Sequence, residues 1–127
     1  LVSVVRTGNH GGWVVMNKYI VIYHADAEAL AGMQSATPEE MAEGMKPWMT
    51  WAEACGDGLV DMGTPLGGGQ KLTTDGSSSS SRDVTGYSIL QAENMAAAEA
   101  MLQGHPHLGW AAGCEIEVHE AMPLPGT

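Results

Sequence analysis

Eight residues, Asn17–His24 (NKYIVIYH), restrict the fold more than any other stretch of the chain. Side chains alternate across a strand, so Ile20, Ile22 and His24 share one face, and Tyr19, Val21 and Tyr23 the other. Both sets are largely apolar, and a strand of that kind must be covered on both faces. The chain has 127 residues, the size of one domain. A domain that small supplies one layer of helices, enough for one face of a sheet. A second subunit is the natural cover for the other face, so this strand predicts a homodimer.

The remaining elements follow from caps and periodicity. Thr37-Pro38-Glu39-Glu40 is a helix start, with Thr37 placed to accept from the backbone, Pro38 where a missing N–H does no harm, and Glu40 able to reach back. Met41, Met45, Trp48, Ala52 and Cys55 then step by 4, 3, 4 and 3, which lines one helical face and predicts core. Gly56 is the stop. Pro47 removes a helical hydrogen bond and crowds the preceding turn, which predicts a kink or local break near Gly44-Met45. Gly58–Met62 reads as a short strand. After the glycine-rich turn GTPLGGG comes a brief extended piece, QKLTT, and then DGSSSSSRD, a flexible tip by composition. Val84–Gln91 is the next strand. Asn94 caps a second helix carrying Met95, Ala98 and Leu102 on one face, and Gly104 ends it. Cys114–Glu120 is the last strand, with Cys114, Ile116 and Val118 alternating against Glu115, Glu117 and His119. The order is β-α-β-β-α-β. The expected fold is therefore α+β and ferredoxin-like, an antiparallel sheet with two helices on one face. Residues 1–15 read as an N-terminal extension or loosely attached strand, and 16–127 as the domain proper.

Charge limits the partners. Fifteen acidic and five basic side chains leave −10, and protonating all five histidines still leaves −5. General affinity for nucleic acid or anionic membranes is excluded on that ground. No segment approaches the roughly 18 unbroken apolar residues of a membrane span. Cys55 and Cys114 are far apart and no secretory signal is visible at the start, so reduced, buried thiols and a cytoplasmic location are expected.

Several stretches resemble the YCII-related family, in particular its longer DGPF-domain branch. They are KYIVIYH, ATPEEM, WMTWAEACGDGLVDMGTPLG, VTGYSIL, LQGHPHLGW and CEIEVHEAMPLP, together spanning about residues 17–125. The resemblance implies a ferredoxin-like fold that pairs through open sheet faces into a dimeric α/β barrel. It implies little about chemistry, since most longer members have no assigned reaction. Short members carry a His–Asp pair proposed as an acid–base dyad, with the His near the start of the first helix. Here that region reads TPEEM, so the dyad does not carry over. Some relatives are linked to sigma-factor-like proteins, which implies a regulatory reading.

His105-Pro106-His107 with Trp110 is the most function-like cluster. Two imidazoles two residues apart on a loop can face one cleft, and an indole offers a wall for a planar ligand. The same residues also suit a structural loop in which Pro106 fixes the turn, His107 bonds backbone carbonyls and Trp110 packs into a dimer. His24 and Asp26 share a face if the strand continues that far, which would make a general-base pair or a capping contact. Tyr87 either adds a phenol to the same cavity or packs. Glu115, Glu117 and His119 read as a solvated face. No metal or other cofactor is expected, H-x-H being a weak metal signal by itself.

Two functions are expected from these residues. The first is a cleft holding a small planar or aromatic molecule, with cofactor-free elimination or isomerisation as its chemistry. His24 or His105 would shuttle the proton, Asp26 would orient or compensate it, and His107, Trp110 and Tyr87 would bind. The second is a non-catalytic regulatory or protein-interaction module. Convergence of His24, His105, His107 and Tyr87 in one concave pocket favours the first, and their scattering or sealing in packing favours the second.

Overall fold

The computed structural model describes residues 2–7, 12–80, 83–110 and 113–125. In chain order these form β1 (Val2–Thr7), β2 (Gly12–His24), α1 (Ala27–Gln34), α2 (Pro38–Cys55), β3 (Leu59–Asp61), β4 (Gln70–Thr73), β5 (Gly76–Ser79), β6 (Val84–Ala92), α3 (Met95–Met101) and β7 (Glu115–Glu120). The fold is α+β with an antiparallel main sheet. β6 and β7 both pair with residues 19–24 of β2 and so lie on its opposite edges, while β3 lies beyond β6. The run β2-α2-β3-β6-α3-β7 is compatible with a ferredoxin-like arrangement. β1 pairs with residues 12–17 of β2, and β2 runs without a break through Met16, where the domain proper was expected to begin.

The two-sided strand behaves as its alternation requires. Tyr19, Val21 and Tyr23 are buried beneath α2 and α3, among Trp51, Leu90, Ala92, Ala98 and Leu102. Ile20, Ile22 and His24 point the other way and are half-buried. The indole N–H of Trp51 donates to the Met101 carbonyl at 2.8 Å, tying α2 to α3 across this core. Asn94 caps α3, its Oδ1 accepting from the Ala97 N–H at 2.8 Å.

Helix α2 begins where the capping signal places it. Thr37 Oγ1 accepts from the Glu40 N–H at 3.1 Å, and Glu40 Oε1 accepts from the Thr37 N–H at 3.0 Å. The local break expected near Gly44-Met45 is absent, because the helix is continuous from Pro38 to Cys55; the surrounding residues 41–47 are exposed, so water can satisfy the carbonyl of Glu43 that Pro47 leaves without a donor. Met41 and Met45 are about half exposed instead of core. Eighteen residues make a helix of roughly 27 Å, and only its C-terminal half, with Trp48, Trp51 and Cys55, lies over the core.

The serine run is corrected too. DGSSSS turns and pairs back on QKLT as the β4–β5 hairpin, with Thr73 opposite Gly76. Gly76 takes φ +127°, a conformation that only glycine adopts readily. Ser81 and Arg82, the end of the expected flexible tip, lie outside the described residues. Helix α1 is an addition to the expected elements. It is short, and Asp26 caps it. Cys55 and Cys114 are both thiols, but half-buried. No helix among the described residues is long and apolar enough to cross a membrane.

Candidate functional site

His105 and His107 sit on a 3-10 turn, Pro106–Gly109, that follows α3. Both are only 2% exposed. The His107 N–H donates to His105 Nδ1 at 3.0 Å. That bond needs an unprotonated Nδ1, which puts the proton of a neutral His105 on Nε2. Nε2 then donates to the Tyr23 hydroxyl at 3.2 Å. Tyr23 in turn donates to Ser88 Oγ at 2.7 Å, and Ser88 donates to the Met62 carbonyl at 2.7 Å. Every donor has one acceptor, and the chain ends on backbone at both sides.

This chain of bonds joins β2, β6, the segment after β3 and the 3-10 turn. Gly63 makes its far end possible, because a Cβ there would stand 1.7 Å from the Tyr87 carbonyl oxygen, and its φ is +79°. Burial, and to a lesser extent His107, pulls His105 down to about 4. Burial likewise pushes Tyr23 up to about 12, against a smaller opposing effect of the Ser88 bond. Trp48 and Trp51 stand edge-on to His105, with ring centroids 4.6 and 4.4 Å away. His107 Nε2 donates to the His24 carbonyl at 2.7 Å, which is the structural-loop role weighed from the sequence. Trp110 keeps an exposed ring 5.8 Å from that of His107.

His24 and Tyr87 lie on the opposite face of the sheet. His24 Nδ1 is 3.0 Å from Asp83 Oδ1, and its Nε2 bonds Glu117 Oε1. Glu117 Oε2 also lies 3.5 Å from His119 Nε2. Burial of the His24 ring opposes its charge, but the bonds to Asp83 and Glu117 outweigh it and raise the pKa. Glu117 is held low, first by its bond to His24. The Tyr87 hydroxyl donates to Asp61 Oδ2 at 3.4 Å. Asp26 does not join His24: its Oδ1 accepts from the Ala29 N–H at 2.9 Å. The strand ends at His24, after a register shift between Tyr23 and His24, so the extension that would align the two side chains is lacking.

Five of the six residues singled out from the sequence therefore fall into two groups. His105, His107 and Trp110 belong to the helix side, while His24 and Tyr87 belong to the open side, and Asp26 is a helix cap. The sequence reading missed Tyr23, Ser88, Asp83 and the bonding role of Glu117. Tyr23 and Ser88 had a usable signal, since they occupy inward positions of two paired strands and carry hydroxyls that burial obliges to bond. Asp83 had none, standing at the end of a serine run. Compared with protein family models and with curated proteins, the chain matches none.

Proposed function

We propose that this protein is a non-catalytic, self-associating interaction module that pairs with a second copy through its open sheet face. Membership of the YCII-related family, its cytoplasmic setting and its dimeric barrel form are part of this proposal. They rest on the sequence motifs and on a compatible strand order. The observation that carries the non-catalytic reading is the state of the imidazoles. His105 is sealed and already bonded at both nitrogens, and both nitrogens of His24 are engaged by carboxylates. A general base needs a nitrogen within reach of a substrate proton, and neither ring offers one.

Pairing is supported by the half-buried Ile20, Ile22, Tyr87 and Ile89, which occupy one face of β2 and β6 in direct register, Ile20 opposite Ile89 and Ile22 opposite Tyr87. The charged groups His24, Asp83, Glu117 and His119 stand beside this strip, the apolar-centre, polar-rim layout of protein interfaces. A planar molecule would meet His24 and Tyr87 on this same face, so small-molecule binding, the first expectation, belongs to the open face and not to the His105 side. The test is Ile22→Asp. The substituted chain is expected to keep its far-ultraviolet circular dichroism and to sediment as a monomer where the unsubstituted chain is dimeric. An unchanged dimer would remove the sheet face as the interface.

A further inference from the structure

The β4–β5 hairpin lies outside the main sheet, and every residue of both its strands is exposed. Its one large apolar side chain, Leu72, is 79% exposed. A lone two-stranded hairpin without an apolar face against something is marginal in water. Its outer edges also lack the usual protection of proline, bulges or dense charge. Gln70–Ser79 carries one Lys and one Asp, net zero, in a chain of formal charge −10. Among the described residues Lys71 has no ion-pair partner in its own chain. The hairpin is thus a neutral segment, with one Lys and one Asp, on a strongly acidic molecule. Its base is closed by the Ser80 N–H donating to the Gly69 carbonyl at 2.9 Å. The chain leaving it reaches Asp83, which is fixed at 3.0 Å to His24 on the open sheet face.

We infer that this hairpin is a dimerisation arm that lies against a second copy of the chain. The inference rests on the sheet-face pairing proposed above, and it adds the arm to that interface. An arm anchored at the rim of a pairing face meets the partner, and two-fold symmetry repeats the contact. Leu72 gives it an apolar contact, and Lys71 meets a surface whose net charge is opposite. Net charge opposes the approach of a second acidic copy, and this neutral segment adds nothing to that repulsion.

Hydrogen exchange at the Gln70–Ser79 amides, compared between the unsubstituted chain and the Ile22→Asp chain, tests the arm directly. Sedimentation equilibrium of the double variant Lys71→Glu, Leu72→Asp accompanies it. Both substituted side chains are exposed, so folding is preserved. Arm amides exchanging at least tenfold slower in the dimer than in the Ile22→Asp monomer are expected. So is a dimer dissociation constant at least tenfold weaker in the double variant, with the weakening reduced as salt is added. Equal exchange rates together with an unchanged dissociation constant would overturn the arm while the sheet-face pairing stands. An unsubstituted chain that is monomeric throughout would overturn the pairing, and the arm with it.

Discussion

The proton on His105 Nε2 determines the direction of four hydrogen bonds in a row. Burial, and less strongly the neighbouring His107, disfavours a second proton, so His105 is pulled down to about 4, against about 6.5 for an unfolded histidine. Between those values the unfolded chain binds the extra proton and the folded chain does not. This part of the stability is complete above about pH 6.5 and is lost as pH falls towards 4, by on the order of 3 kcal/mol in total. His24 works the other way. Its pKa is raised, so its contribution is complete below the unfolded value and is lost as pH rises through the folded one. Urea denaturation of the unsubstituted chain and of His105→Gln at several pH values separates the two. The variant is expected to be less stable at neutral pH by about 1–3 kcal/mol and to show a shallower decline between pH 6.5 and 4. Parallel pH curves would remove the neutral, buried His105. The sequence could show that His105 and His107 share a loop, but not that Tyr23 waits beneath them. Burial is decided by which strands pair, and that is information from residues 82 positions apart.

Among the elements, α2 was legible at its ends because caps are local: Thr37, Pro38 and Glu40 sit within one turn of the bonds they make. Its middle was not, because whether a methionine is covered depends on how far the neighbouring sheet extends. Pro47 therefore stands in a well-exposed part of the helix, where water can reach the carbonyl it leaves without its helical donor. Pro47→Ala is expected to stabilise the chain by about 1–3 kcal/mol, seen as a raised thermal midpoint; an unchanged or lower midpoint would mean that the proline serves the helix geometry. Gly63 is the opposite case. Gly63→Ala forces a methyl group into the Tyr87 carbonyl at a positive φ, and is expected to cost more than about 2 kcal/mol in urea denaturation. The β4–β5 hairpin was illegible for a physical reason. Its strands are held by backbone pairing and by the Thr73 hydroxyl at the turn, so the serines carry no apolar alternation, and composition pointed to a flexible tip instead.

At the level of the whole molecule, the strand order follows from signals the sequence does contain: two-sided apolar alternation in β2, inward Ile116 and Val118 in β7, and caps on α2 and α3. The functional grouping did not follow, because alternation tells which residues share a face but not which loops fold over it. His24 and His105 look equivalent as histidines near strand or helix ends, yet the sheet stands between their side chains. What unifies the molecule is the open face, apolar at Ile20, Ile22 and Ile89 and bordered by His24, Asp83 and Glu117. The proposed pairing puts a second copy over that face. Sedimentation equilibrium of the unsubstituted chain at micromolar concentration measures it most directly. A mass twice the 13.3 kDa of one chain is the predicted result, and a stable 13.3 kDa species across the concentration range would contradict the pairing.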